Sequence, residues 1–114
     1  MQQSPLYTRT YDLLLWLIPQ VLKFPRIHRF GIAERIQDTL LDFQDNLTAA
    51  GKVQAHDKLQ LLRDADVQLE QIRVWIRFCR DLKLITINQY EHVSRMISEV
   101  GRLLGGWIKK LSTS

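Results

Sequence analysis

Cations with helical spacing are the residues of this chain most able to do chemistry. One row, Arg73, Arg77 and Arg80, steps by four and three residues, and a second, Arg95, Arg102 and Lys109, steps by seven. Each row would lie along one face of a helix, and Arg26 and Arg29 form a separate cluster. An arginine holds a phosphate through two parallel hydrogen bonds, and a row on a rigid helix can follow a nucleic-acid backbone. We therefore predict nucleic-acid contacts at Arg73, Arg77, Arg80, Arg95, Arg102, Lys109, Arg26 and Arg29.

Neighbouring carboxylates offer these cations a second role. Glu70, Asp81 and Glu99 each lie within one helical turn of an arginine in the rows, so solvated ion pairs are the alternative. The formal net charge of +4 is only a mild bias toward polyanions. Residues 82–114 carry five cations and two carboxylates, whereas residues 31–50 carry four carboxylates and one arginine. The acidic segment would face either solvent or a basic partner protein.

Residues that usually bind metals or carry catalysis are scattered. His28, His56 and His92 are far apart and belong to no metal-ligand motif. Cys79 falls among regularly spaced apolar positions and is expected to be a small core residue, in a chain whose home is a reducing cytoplasm. The most apolar stretch, residues 13–22, is about half the length that spans a bilayer. We expect no enzyme activity, metal, cofactor or membrane insertion.

Four segments with three- and four-residue apolar spacing predict helices. Pro25 should end the first, because the residue before proline avoids the helical conformation. Gly51 follows the second in a position that often takes the left-handed conformation. Thr86 and Gln89 fit a capping box at the start of the fourth. A single domain over 1–114 is expected, with helices at about 5–24, 27–50, 53–82 and 86–111.

Short connections between amphipathic helices predict an all-α fold, an antiparallel up-down-up-down four-helix bundle. The third helix carries an uninterrupted apolar seam whose steps alternate between three and four, the pattern of near-parallel helix packing. That seam consists of Leu62, Ala65, Leu69, Ile72, Ile76 and Cys79.

The third and fourth helices have more apolar residues than a lone bundle needs, which is about three in seven. Three glycines also fall within the fourth helix, where each costs about 1 kcal/mol relative to alanine. Close approach by another backbone would explain them, so self-association is expected; the alternative is that the aromatic residues cap the bundle ends. The predicted subunit interface contains Trp75, Phe78, Gly101, Gly105, Gly106 and Trp107.

Several segments resemble one family of four-helix bundles, in which are found the accessory variability determinant (Avd) of diversity-generating retroelements and the proteins encoded in intervening sequences of bacterial 23S ribosomal RNA genes. The resemblance covers nearly the whole chain. The segments that match the family are Tyr11-Asp12, Phe24-Pro25-Arg26, residues 69–78 (LEQIRVWIRF) and, most specifically, residues 98–108 (SEVGRLLGGWI).

The resemblance implies a barrel-like homopentamer with a basic exterior that associates with a reverse transcriptase and its template RNA. In that role the chain would be a non-catalytic partner in mutagenic retrohoming, the process that rewrites a variable gene. The other branch implies a bundle that self-assembles and has no nucleic-acid role. Both branches share the motif in the fourth helix, so the two functions remain open.

Overall fold

The computed structural model describes residues 4–113, and within that range the secondary structure is helical with no strand. The prediction of an all-α chain is confirmed, and the four helices fit a four-helix bundle. They are α1 (Ser4–Leu22), α2 (Glu34–Ala50), α3 (Ala55–Asp81) and α4 (Ile87–Ser112).

Each helix packs against two others. α1 lies against α2 and α4, and α3 lies against the same two helices, so α1 and α3 occupy opposite corners of the bundle. Arg35 near the start of α2 lies over the ring of Trp75 near the end of α3, 6.0 Å from its centroid. At the other end, Lys58 in the first turn of α3 donates to the carbonyl of Ala50, the last residue of α2 (2.7 Å).

The core is formed by the apolar stripes of all four helices. Every member of the predicted α3 seam is buried, which confirms the interpretation of its spacing. Full burial of a leucine or isoleucine stabilises the fold by about 1.5–3 kcal/mol. The stripe of α4 is buried in the same way at Val93, Ile97, Val100 and Leu104. These stripes fix which face of each helix points to solvent.

The predicted second helix, from residue 27 to 50, is wrong at its start. Pro25 is extended (φ −54°, ψ 150°), and a short 3₁₀ turn over Arg26–His28 follows it. The next five residues, Arg29–Ala33, form a wide π-type turn in which Gly31 has non-helical angles (φ −112°, ψ −109°). The regular hydrogen-bonding pattern therefore begins only at Glu34.

Gly51 does not adopt the left-handed conformation predicted for it, because its φ is −74°. Its missing side chain leaves room for Tyr7 instead: a Cβ on Gly51 would lie 2.8 Å from the Tyr7 hydroxyl oxygen. That hydroxyl donates to the carbonyl of Leu47 over 2.6 Å and ties α1 to the end of α2.

Lys83, two residues beyond the end of α3, is left-handed instead (φ 63°). The N–H of Leu84 donates to the carbonyl of Cys79, and that of Lys83 donates to the carbonyl of Arg80, both over 2.9 Å. This pair of bonds is a Schellman motif. The capping box at Thr86 and Gln89 is confirmed, with bonds of 3.0 and 2.9 Å between each backbone N–H and the other side chain.

Candidate nucleic-acid and subunit interfaces

Arg73 is held against the subunit surface. Its Nη1 donates to Glu70 over 2.9 Å, within one turn of α3. Its Nη2 lies so close to α4 that a Cβ built on Gly101 would be 2.5 Å away. Gly101 therefore gives space to an arginine of the same chain, and a phosphate would have to displace the guanidinium from Glu70 and from the backbone of α4 at Gly101.

Arg80 is also engaged within the subunit. It pairs with Asp81 over 2.9 Å, and its guanidinium stacks on the ring of Tyr90 at 4.5 Å from the centroid. Arg77, between these two, is exposed, and the described part of the chain shows no ion pair for it. The α3 row thus keeps one cation fully directed to solvent.

The α4 row is different, because its three cations stand on the outer face of the helix, opposite the buried stripe. Arg95, Arg102 and Lys109 are all exposed. Gly105 and Gly106 lie on the same outer face, and a Cβ on either would meet no atom within 4 Å. Between Arg102 and Lys109 this side of α4 therefore has no projecting side chain at the two glycines, and a partner molecule can approach the helix backbone.

The charge of Arg102 is partly matched by Glu99 one turn before it. Two guanidinium N–H groups of Arg102 donate to the two carboxylate oxygens of Glu99. This hydrogen bonding is the main reason that the pKa of Glu99 is lowered and that of Arg102 is raised. Both groups stay charged near neutral pH, and because the pair is exposed it is open to exchange with a phosphate.

Acidic residues occupy the opposite side of the bundle. Glu34, Asp38, Asp42 and Asp45 are exposed along the outer face of α2. α2 and α4 both lie between α1 and α3, so the two helices are at opposite corners. The chain consequently carries a negative row on one side and a positive row on the other.

Arg26 and Arg29 are exposed in the turns between α1 and α2. Arg29 borders a groove with Phe30 and Asp38, whereas the α4 row runs along a different helix. The structure therefore does not bring this arginine pair together with the α4 row into one continuous patch.

Trp107 lies in the core, so the expectation that its ring is surplus to the bundle is wrong. It is 8% exposed and packs edge-on against Tyr7, with ring centroids 6.4 Å apart. Trp75 and Phe78 remain at the surface, where their rings meet at 6.3 Å and Phe78 is 45% exposed. These two aromatic residues are still available to a partner.

Ile27 and Phe30 are functional candidates that the sequence interpretation missed. They are 85% and 81% exposed, the highest values among the large apolar residues described. Phe30 borders an open groove that is also lined by Trp75 and Phe78. The sequence interpretation starts a regular helix at residue 27, and Gly31 is the signal for the break that exposes these side chains.

Within residues 4–113, no group of three histidine, cysteine or acidic side chains is placed to hold a metal ion. Cys79 is buried, and burial raises the pKa of its thiol from 9.0 to about 11, which keeps it protonated and unreactive at neutral pH. No helix in the described range is long and apolar enough to cross a membrane.

The chain is an all-α protein whose four helices fit a four-helix bundle, with oppositely charged outer faces and uncovered aromatic residues. The sequence model of the bAvd-like family matches residues 6–111, and the chain belongs to that family. A crystal structure of a protein of unknown function from the S23 ribosomal protein family of Bacteroides thetaiotaomicron is similar in fold, with a TM-score of 0.87. That similarity covers 96% of this chain and 99% of the other at 18% sequence identity. No curated protein matches the sequence significantly.

Proposed function

We propose that this chain is a non-catalytic accessory protein of a diversity-generating retroelement. It binds the reverse transcriptase of the element and its template RNA, and so supports mutagenic retrohoming. The observation that carries the proposal is membership of the bAvd-like family over residues 6–111. The polymerase supplies the chemistry, and this chain supplies binding surfaces.

The RNA surface in this proposal is the outer face of α4. Arg95, Arg102 and Lys109 are spaced by two helical turns each, or about 10 Å. All three point away from the core, and glycines keep the face low between the last two. A phosphate backbone can therefore approach closely enough to pair with the cations and release their counterions.

Assembly is the second part of the proposal. Antiparallel up-down-up-down subunits associate as a homopentamer, in which each copy repeats the α4 row. Exposed aromatic residues support this assembly, since such patches mark interfaces. They are Phe78 and Phe30, with half-buried Trp75 beside them. Repetition would also offset the modest charge of a single subunit, because several rows can contact one RNA.

RNA binding by the purified chain tests the proposal. We expect a labelled template RNA to bind at about 50 mM salt and to lose affinity steeply by about 200 mM, because bound phosphates release counterions. Co-purification with the reverse transcriptase of the same element should accompany this binding. A stable oligomer that ignores RNA at low salt and does not retain the polymerase would contradict the proposal.

That result would favour the alternative, an intervening-sequence type bundle that assembles only with itself. The S23-family protein shares the fold but has an unknown function, so that similarity fits either function. The gene neighbourhood separates the two: a reverse transcriptase gene with template and variable repeats fits the first function, and a ribosomal RNA operon fits the second.

A further inference from the structure

A groove between α1 and α4 adjoins the cationic row of α4. The lining residues repeat at helical spacing, so one face of each helix forms one wall of the groove. Its volume of about 260 Å³ is just below the roughly 300–1,000 Å³ of sites for drug-sized ligands, which suits a single planar ring. The lining consists of Arg9 and Asp12 from α1 with His92, Arg95, Met96 and Glu99 from α4.

Two arginines at this groove have hydrogen-bond donors to spare. The guanidinium of Arg9 lies 3.7 Å from the carboxylate of Asp12, which is too far for a hydrogen bond. Arg95 is exposed, and within residues 4–113 the structure shows no ion pair for it. Because Arg95 belongs to the α4 row, a phosphate backbone that follows the row also comes within reach of Arg9 on the neighbouring helix.

Two carboxylates give the same groove hydrogen-bond acceptors. Asp12 is 46% exposed and, at 3.7 Å, accepts no hydrogen bond from Arg9. The pKa of Glu99 is lowered, mainly by its hydrogen bonds from Arg102 and also by the charge of Arg9, so Glu99 is ionised at neutral pH. Carboxylates repel a bare phosphate. The lining therefore suits a ligand that carries both an anionic group and N–H donors.

His92 adds an aromatic ring to the wall of the groove. It packs against Trp16 of α1, with ring centroids 5.1 Å apart and planes inclined by 55°. Trp16 does not line the groove, so its contact holds the imidazole in place without filling the space. Half-buried Met96 lies one turn further along α4. An aromatic ring beside cations is the usual surface on which an unpaired base stacks.

We propose that this groove binds one unpaired guanine of the RNA. The inference rests on the RNA binding in the proposed function and adds a base-specific site to it. Guanine presents two adjacent N–H donors, at N1 and N2, and the two oxygens of the Asp12 carboxylate can accept both. The guanine ring stacks on His92, and the phosphates beside it pair with Arg9 and Arg95.

The other three bases match the carboxylate less well. Uracil has one N–H between two carbonyl oxygens, and adenine and cytosine have an amine next to a ring nitrogen that is an acceptor. Each of them would turn at least one acceptor toward Asp12. Base pairing occupies the same edge of guanine, so the site is specific for single-stranded RNA.

Two labelled RNAs test the site, a short oligouridine and the same RNA with one central uridine replaced by guanosine. Fluorescence anisotropy at about 50 mM salt measures the affinity of the parent and of Asp12→Asn. Asp38→Asn is the matched control, because it removes the same charge from the outer face of α2. Circular dichroism checks folding, and Asp12→Ser repeats the test if the amide disturbs the helix.

We expect the parent to bind the guanine RNA at least about fivefold more tightly than the oligouridine, the lower end of the discrimination that a bidentate base contact gives. Asp12→Asn should bind both RNAs equally, because its amide has one acceptor oxygen, and its affinity for the oligouridine should not fall. Asp38→Asn should keep the guanine preference. Arg9→Gln should weaken binding of both RNAs and reduce the salt slope by about one.

Equal affinity of the parent for the two RNAs would overturn the guanine site and leave RNA binding in place. A guanine preference that survives Asp12→Asn would also overturn it. A parent that binds neither RNA would instead refute the proposed function, so the two failures are distinguishable.

Guanosine monophosphate, added as a competitor, separates RNA from a free nucleotide. We expect displacement of the guanine RNA only at concentrations far above that of the RNA, because the nucleotide lacks the neighbouring phosphates. Displacement at concentrations comparable to that of the RNA would assign the groove to a free nucleotide and overturn the proposal.

Discussion

Arg73 of α3 lies across the backbone of α4 at Gly101, and this contact exists because Gly101 has no side chain. The sequence predicted Arg73 to bind nucleic acid and Gly101 to lie in a subunit interface. In the structure these two residues contact each other within one chain. Glu70 completes the arrangement by accepting a hydrogen bond from the same guanidinium. The contact involves none of the three α4 cations Arg95, Arg102 and Lys109, which lie on the outer face of that helix.

Alanine substitutions at Gly101 and Gly106 should change the free energy of unfolding by different amounts, because only Gly101 contacts Arg73. At Gly106 a Cβ meets nothing within 4 Å, so Gly106→Ala should raise the free energy of unfolding by about 1 kcal/mol through helix propensity. At Gly101 the new Cβ pushes the flexible end of Arg73 aside, so Gly101→Ala should raise the free energy of unfolding by clearly less. Urea denaturation at one fixed protein concentration measures both. Equal gains would mean that the Arg73 contact contributes nothing.

The end of α3 offers a stability gain through the backbone. Lys83 has a φ of 63°, a left-handed conformation that costs a residue with a Cβ about 1–2 kcal/mol. Lys83→Gly should raise the free energy of unfolding by about 0.5–1 kcal/mol, after the greater flexibility of glycine in the unfolded chain is subtracted. Thermal denaturation tests this, with Lys83→Ala as control for loss of the charge. A gain of the same size for Lys83→Ala would point to charge, and not to the backbone.

Cys79 should make the fold sensitive to alkali. Burial raises the pKa of its thiol from 9.0 to about 11, so the folded chain keeps this proton more tightly than the unfolded chain. Its stabilisation is complete below pH 9 and is lost as the pH rises through 11, by up to about 3 kcal/mol. Burial raises the pKa of Tyr7 in the same direction. Urea denaturation from pH 8 to 11 should show the fall.

Cys79→Ala is the control for that pH profile. It should lower stability at pH 8 through the smaller side chain, but flatten the loss between pH 9 and 11. A profile in the variant that falls as steeply as in the parent would assign the alkaline effect to other groups.

Periodicity identified most of the buried framework, because spacing determines which face of a helix is apolar. The α3 seam follows from it directly, whereas the capping box follows from the residue types of Thr86 and Gln89. Spacing does not say which neighbour lies across from a residue. The burial of Trp107 against Tyr7 therefore depends on the packing of α1 on α4, which no local pattern contains.

The backbone conformation in the turns was the other feature that the sequence did not predict correctly. Gly51 is suited to a left-handed position, but the chain adopts that conformation at Lys83, where the Schellman bonds of α3 close. Similarly, a helical pattern continues through Ile27 and Phe30 in the sequence, whereas Gly31 interrupts the helix in the fold. Competition between tertiary contacts and local preference decided both positions.

Gly105 distinguishes two roles for the outer face of α4. The sequence assigned it to the subunit interface, whereas its position between Arg102 and Lys109 favours contact with nucleic acid. We expect Gly105→Leu to leave the assembly mass unchanged and to weaken RNA binding several-fold, because the leucine side chain would stand between the two cations. Light scattering and RNA titration measure these effects. A fall in mass would instead restore the sequence-based assignment.

Reversal of the α4 row is the most direct test of the cationic RNA surface. The triple variant Arg95→Glu, Arg102→Glu and Lys109→Glu is compared with a control that reverses three exposed cations outside the predicted groups. That control, Lys23→Glu, Lys52→Glu and Arg63→Glu, changes the net charge by the same amount. Fluorescence anisotropy with template RNA at several salt concentrations gives both affinity and salt slope.

We expect the α4 variant to lose at least about tenfold in affinity at 50 mM salt, with a shallower salt dependence because fewer counterions are released. The control should lose far less. Equal losses in the two triple variants, or unchanged binding by the α4 variant, would contradict the assignment of the α4 face to RNA.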